Sequence, residues 1–211
     1  MPEGSAPRQT ALRLCLDINV YIGRQLAAQS GRSGGAASKL VDIARDMTCQ
    51  TGPVQLVMSL QMIGALENVL GRLKFQPQSI SDFTAALVGL MRMGPEGFDP
   101  FLSPPASGLA MIDVEDAGVL ASCIAARVDL LVTDNLEDFL FKDAERIDTR
   151  EVARRDGRTR QLFAVVYERN DGVRIVIAHP IDALEWLRMG LRPTPEVIRS
   201  HYAATSPAQP K

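Results

Sequence analysis

Three short acidic clusters carry side chains that can do chemistry. The first is Leu14-Cys15-Leu16-Asp17-Ile18-Asn19. The second is Asp113-Val114-Glu115-Asp116, and the third is Leu130-Leu131-Val132-Thr133-Asp134-Asn135, followed by Asp138. Each stands where an apolar run gives way to a helical pattern. Carboxylates and amide oxygens are the hard ligands that Mg²⁺ and Mn²⁺ prefer. Taken singly, Asp17, Asp116 and Asp134 or Asn135 also suit helix N-caps, because a short acceptor side chain satisfies a free N–H of the first turn. Taken together, they fall at junctions that a parallel sheet lines up along one edge, where open α/β sheets bind ligands. Unpaired carboxylates in one cleft repel one another, and a divalent cation relieves that repulsion.

The elements that must position these residues follow from periodicity. Leu12–Asp17, Val54–Met58 and Asp129–Thr133 read as short buried strands. Helical spacing covers Ile18 to Gln29, Ser38 to Met47, about 59–74 with Ser59 as cap, about 79–92, and Asp116 to Arg127. Residues 94–109 are rich in Gly and Pro and read as a long loop, with at most a short strand at Ala110–Ile112. Leu162–Tyr167 and Val173–Ala178 flank Asn170-Asp171-Gly172 and predict a hairpin. Pro180 opens a last helix, Ile181 to Met189. Strands alternating with helices predict one α/β domain with a three-layer architecture, a parallel sheet flanked by helices. Its bounds are 11–190, with flexible tails at 1–10 and 191–211.

The 211 residues suit a single domain. A net charge of −2 supplies no chain-wide basic field, so any contact with nucleic acid must use a local patch. Cys15, Cys49 and Cys123 are widely spaced with apolar neighbours, as expected of free thiols in a reducing cytoplasm. Met1 to Thr10 has no signal-peptide core. Residues 47–66 lack charge, but Gln50, Gly52, Pro53 and Gln55 interrupt them, so no membrane span is expected.

The stretch Leu14-Cys15-Leu16-Asp17-Ile18-Asn19-Val20 resembles the opening strand and D-x-N of the PIN-domain family. That family comprises metal-dependent ribonucleases and includes the VapC-like toxins of toxin–antitoxin pairs. Asp116 to Arg127 followed by Val128-Asp129-Leu130-Leu131-Val132-Thr133-Asp134-Asn135-Leu136-Glu137-Asp138-Phe139 resembles the family's third-acid helix and its strand ending T-x-N-x-x-D-F. Ala178-His179-Pro180-Ile181-Asp182-Ala183-Leu184-Glu185-Trp186-Leu187 resembles its final strand and helix. The resemblance implies a PIN-like fold over about 11–190, with residues of about 146–172 and the C-terminal hairpin inserted before the last strand. It implies Asp17 and Asp116 as catalytic metal ligands, with Asn135 a further ligand and Asp138 an acid in the fourth-acid region. Asn19, Thr133, Asp134 and Asp113 would support them. One or two Mg²⁺ or Mn²⁺ ions would activate water for in-line attack on an RNA phosphodiester. An RNA substrate, an antitoxin partner and a homodimer are the expected associations.

The family's second acid has no direct counterpart. It usually stands four residues before a Val-Leu pair, and before Val69-Leu70 that position is Ala65. The nearest acid is Glu67, turned about 200° around a helix from position 65. Glu67 is either a rotated substitute or a solvated surface acid. If one carboxylate is lost, the alternative is a PIN-fold binding module with little nuclease activity.

Other motifs point elsewhere only weakly. Asp17-x-Asn19 lacks the second Asp of an aspartate-nucleophile phosphatase. Gly31-Arg32-Ser33-Gly34-Gly35 lacks the Lys-Ser/Thr of a phosphate loop. His179, before Pro180, reads as structural. Arg146, Arg150, Arg154, Arg155, Arg158 and Arg160 form a basic run. It is either a solvated segment or an arm that contacts RNA phosphates, with Arg154, Arg155, Arg158 and Arg160 as its contacts.

Overall fold

The apolar runs form strands too short and too buried for helices. β1 (Leu12–Leu16) is apolar except for Arg13, and its leucines are fully buried. Asp17 ends it and caps α1 (Ile18–Gln29). α2 (Ala36–Asp46) leads through Met47, in the left-handed conformation, into a two-residue β2 (Thr48–Cys49) and then β3 (Gly52–Leu56). Ser59 caps α3 (Leu60–Arg72), accepting from Met62 N at 3.2 Å. Pro77, whose missing N–H costs nothing in a first turn, opens α4 (Pro77–Met93). α5 (Val114–Ala125) leads to β4 (Leu130–Val132) and a 3-10 turn at Leu136–Phe139. β5 (Ala144–Ala153), β6 (Thr159–Glu168) and β7 (Arg174–Ala178) follow, then α6 (Pro180–Arg188) and α7 (Pro195–Ala203). The computed structural model describes residues 10–100, 114–153 and 157–203, with side chains of the middle stretch described from residue 117.

The seven strands form one sheet in the order β2-β3-β1-β4-β7-β6-β5. Its centre, β3-β1-β4-β7, is parallel, and its two flanks are antiparallel. The sheet is therefore α/β with the expected parallel centre, and the expected hairpin joins it as an antiparallel flank. The reason is local: tight turns join neighbouring strands antiparallel, whereas parallel neighbours need a crossover helix. The β6–β7 hairpin forms around Asn170-Asp171-Gly172, with Gly172 at φ 83°. The basic run is no free arm up to residue 153, since it is β5, paired with β6 on both sides of an irregularity between Asp148 and Glu151. Charged residues on this long edge discourage pairing with another chain.

Two of the run's arginines are committed to the fold. The Arg146 guanidinium stacks 4.1 Å from the centre of the Phe163 ring and pairs with Asp148 at 2.8 Å. Arg150 Nε meets Asp182 Oδ1 at 2.6 Å, and Thr149 Oγ1 donates to Asp182 Oδ2 at 2.7 Å. Asp182 is fully buried on α6, and Arg150 also pairs with Glu185 one turn later.

The expected tail from 191 is corrected by α7, whose Ile198 and Tyr202 are buried against the core. Trp186 Nε1 donates to Tyr202 Oη at 2.9 Å, which satisfies a buried indole N–H. Thr194 Oγ1 accepts from Val197 N at 3.3 Å and starts the helix ahead of Pro195. Residues 1–9, the expected strand at 110–112, and residues 204–211 lie outside the described residues.

Removing Arg150 leaves a buried carboxylate without its cation, so R150A should lose about 3 kcal/mol of unfolding free energy. Urea denaturation checks this, and adding D182N to R150A should recover most of the loss. A single variant as stable as wild type would contradict the assignment.

Candidate active site

Strand register builds the site. Leu14 pairs with Leu56, Leu16 with Val132, and Val132 with Ala178. Continuing those registers past the strand ends sets Ser59, Asp17, Thr133 and His179 in one row along the C-terminal edge. Two ladder bonds extend into the row, Asp17 N to Val132 O at 2.9 Å and Thr133 N to Ala178 O at 3.0 Å.

Asp17 is the centre of this edge and is only 6% exposed. Its Oδ1 accepts from Ile18 N at 2.6 Å, so it is an N-cap. Its Oδ2 accepts from Asn19 Nδ2 and from Thr133 Oγ1, each at 2.7 Å. Asn19 Nδ2 also donates to Thr133 Oγ1 at 2.8 Å, and Asn19 Oδ1 accepts from Asp134 N at 3.3 Å. Thr133, fully buried, further accepts from Asn135 N at 3.1 Å. The cap fixes the carboxylate while Asn19 and Thr133 aim it. A carboxylate oxygen accepts two bonds, so Oδ2 is filled and Oδ1 keeps one position open.

Burial raises the Asp17 pKa above the usual carboxylate value. The bonds from Thr133 and Ile18 partly oppose that, and the nearby Asp134 charge adds to it. No arginine or lysine pairs with Asp17 among the described residues.

A cleft of about 610 Å³ opens in front of Asp17. Asp17, Asn19, Ser59 and Asn135 line it from the strand edge, and Gly118 and Val119 from the start of α5. α3 contributes Gln61, Ala65, Asn68 and Arg72, among others. A β-carbon built on Gly118 would stand 3.2 Å from Gln61 Oε1, so glycine leaves room for that amide at the cleft.

The expected site residues divide. Asp17, Asn19, Thr133 and Asn135 are brought together. Asp116 lies on the first turn of α5, whose next residues line the cleft, but its side chain lies outside the described residues, as do Asp113, Arg154 and Arg155. Glu67 is corrected as a catalytic candidate: it is exposed, does not line the cleft, and accepts from Thr84 Oγ1 of α4 at 2.7 Å. The helical turn that brings Ala65 to the cleft carries Glu67 away from it. Asp138 is exposed and set back from the cleft, holding the Asn135 Nδ2 amide.

Asp134 faces His179 rather than the cleft. His179 Nδ1 accepts from Ile181 N at 3.2 Å and caps α6. That leaves Nε2–H to donate to Asp134 Oδ1 at 3.2 Å. Burial lowers the His179 pKa, against the pull of Asp134 and Asp182, so the ring is neutral at pH 7. Arg158 and Arg160 lie at the start of β6 and do not line the cleft. Periodicity missed the α3 lining residues Gln61, Asn68 and Arg72, whose helical spacing was the one available signal.

A family model, the PIN domain, matches residues 13–137. The chain belongs to the PIN-domain family. No curated protein and no solved structure matches it. The matched span runs from β1 to the 3-10 turn and contains the whole cleft. The β5–β6 hairpin, α6 and α7 follow it. PIN domains are typically nucleases. No described helix is long and apolar enough to cross a membrane.

Among the described residues, no group of three or more His, Cys, Asp or Glu side chains could hold a metal ion. The donors that are described fit a different arrangement. One open position on Asp17 Oδ1, in a cleft that Asn135 also lines, suits a hydrated hard cation held by few protein oxygens, the habit of Mg²⁺. The raised pKa of Asp17 fits too, since a cation stabilises the ionised form that burial disfavours.

The sign of that shift gives a stability prediction. A carboxyl whose folded pKa is raised contributes most below its unfolded value, near 3.9, and loses that contribution as pH rises through the folded pKa. D17N, which keeps a good N-cap, should therefore gain stability relative to wild type between pH 4 and pH 7. Paired thermal melts in metal-free buffer measure it, and a difference that falls with pH would contradict it.

Proposed function

We propose that this PIN domain is a Mg²⁺- or Mn²⁺-dependent endoribonuclease. The observation that carries the proposal is Asp17: a buried, uncompensated carboxylate aimed by Thr133 and Asn19 into a cleft, with one acceptor position open. A bound divalent cation would supply positive charge at the scissile phosphodiester. Asp17 and Asp116 are the residues proposed to hold it, with Asn135 beside them. Thr133 and Asn19 fix the Asp17 rotamer, and the neutral His179 holds Asp134 off the cleft.

The toxin role, with an antitoxin partner and a dimer, extends the proposal by family resemblance. Finding a small reading frame immediately upstream of the gene would support it. A second reading has its own observation: Ala65 stands on the cleft while Glu67 is bonded to Thr84. A site short of one carboxylate suits an RNA-binding module with little turnover.

Cleavage of a labelled RNA separates the two. The nuclease reading expects cleavage with Mn²⁺, none in EDTA, and a loss of at least about 100-fold in D17N, about 2.7 kcal/mol of transition-state stabilisation. RNA bound but intact under all three conditions favours the module. Cleavage undiminished in D17N would remove Asp17 from the mechanism.

A further inference from the structure

One face of α3 runs the length of the cleft. Gln61, Ala65, Asn68 and Arg72 all line it. Their spacings of four, seven and eleven residues return to within about 40° of the same direction on a helix at 100° per residue. At about 1.5 Å per residue the strip is roughly 16 Å long. Its start adjoins Ser59, level with Asp17 in the strand register, and its end is Arg72.

The chemistry along the strip is uniform. Gln61, Asn68 and Arg72 make no hydrogen bond or ion pair among the described residues. Arg72 is the one cation among the described cleft-lining side chains, and Asp17 the one anion. The last turn of a helix favours a cation, which accounts for Arg72 in that turn but gives its five N–H donors no acceptor. Ala65, between the amides, keeps the helix surface low. An anionic, hydrogen-bonding chain is what such a face accepts.

We propose that this face of α3 is the track for single-stranded RNA. It leads from the Asp17 edge to Arg72, which binds a backbone phosphate away from the scissile bond. Guanidinium and phosphate match in a two-point geometry. Asn68 and Gln61 meet ribose hydroxyls or base edges, which single-stranded RNA leaves open. The choice of ligand rests on the nuclease reading. Arg72 is a positioning residue, not a catalytic one.

The test is binding without cleavage. Fluorescence anisotropy of a labelled single-stranded RNA is measured in EDTA across a salt series with the full chain, R72Q, R72K and N68A. R72Q should weaken binding about 5- to 10-fold near 0.1 M salt and reduce the salt slope by about 0.7, the value of one single-strand phosphate contact. R72K should keep the slope and lose part of the affinity. N68A should weaken binding with the slope unchanged. Arg72 is exposed, so circular dichroism of R72Q should match wild type. Wild-type affinity and slope in R72Q overturn the track, as does a full chain that binds no RNA. Cleavage with Mn²⁺ is scored separately. A chain that cleaves with an Arg72-independent slope keeps the nuclease and loses the track. A chain that binds through Arg72 without cleaving keeps the track and loses the nuclease.

Discussion

The Thr133–Asp17 hydrogen bond, 2.7 Å long between two buried side chains, is the constraint on which the site depends. It spans the seam between two parallel strands, so it forms only when β1 and β4 hold their register. A slip of one residue would turn Asp17 or Thr133 to the other face of the sheet. Asn19 reinforces the bond from α1, and Asn135 is tied to the same hydroxyl through its backbone. The leucines of β1 and β4 thus matter to the cleft as well as to the core. Their burial fixes the level at which the carboxylate emerges.

The remainder of the chain protects that edge. β7 completes the parallel centre and brings His179 into the row, where its Nε2 meets Asp134 Oδ1 at 3.2 Å. The Asp134 charge still adds to the upward shift that burial gives the Asp17 pKa. The hairpin beyond the matched family span is anchored by a fully buried Asp182 between Thr149 and Arg150. Buried pairs of this kind are costly to desolvate and gain little net stability over an apolar core. What this one adds is a single seating for β5 against α6.

Sequence reading recovered the elements whose signals are local. β1, β4 and the β6–β7 hairpin are apolar runs bounded by Asp or a DG turn, and Asp17, Ser59 and Pro180 mark helix starts by their capping chemistry. At α3 the offset of about 200° between positions 65 and 67 puts Ala65 on the cleft and Glu67 off it. What escaped depended on tertiary partners. α7 has few apolar residues and is held by Ile198 and by the Trp186–Tyr202 bond, although Thr194-Pro195 already carried a start signal. The outer strand β5 hid in a charged run whose periodicity resembles a solvated segment. The cleft face of α3 was invisible because polar residues at helical spacing mean nothing until a facing element such as Gly118 is known.

The central claim is that the Asp17 edge is a cation site. Paramagnetic broadening by substoichiometric Mn²⁺ in the ¹H–¹⁵N spectrum reports it directly, because the effect falls steeply with distance from the ion. The amides of Asp17, Asn19 and Thr133 to Asn135 should broaden first, while those of Arg174 and Glu196 at the opposite edge keep their intensity. Broadening centred on another acidic surface, such as Asp42 and Asp46, or spread evenly over the chain, would contradict it.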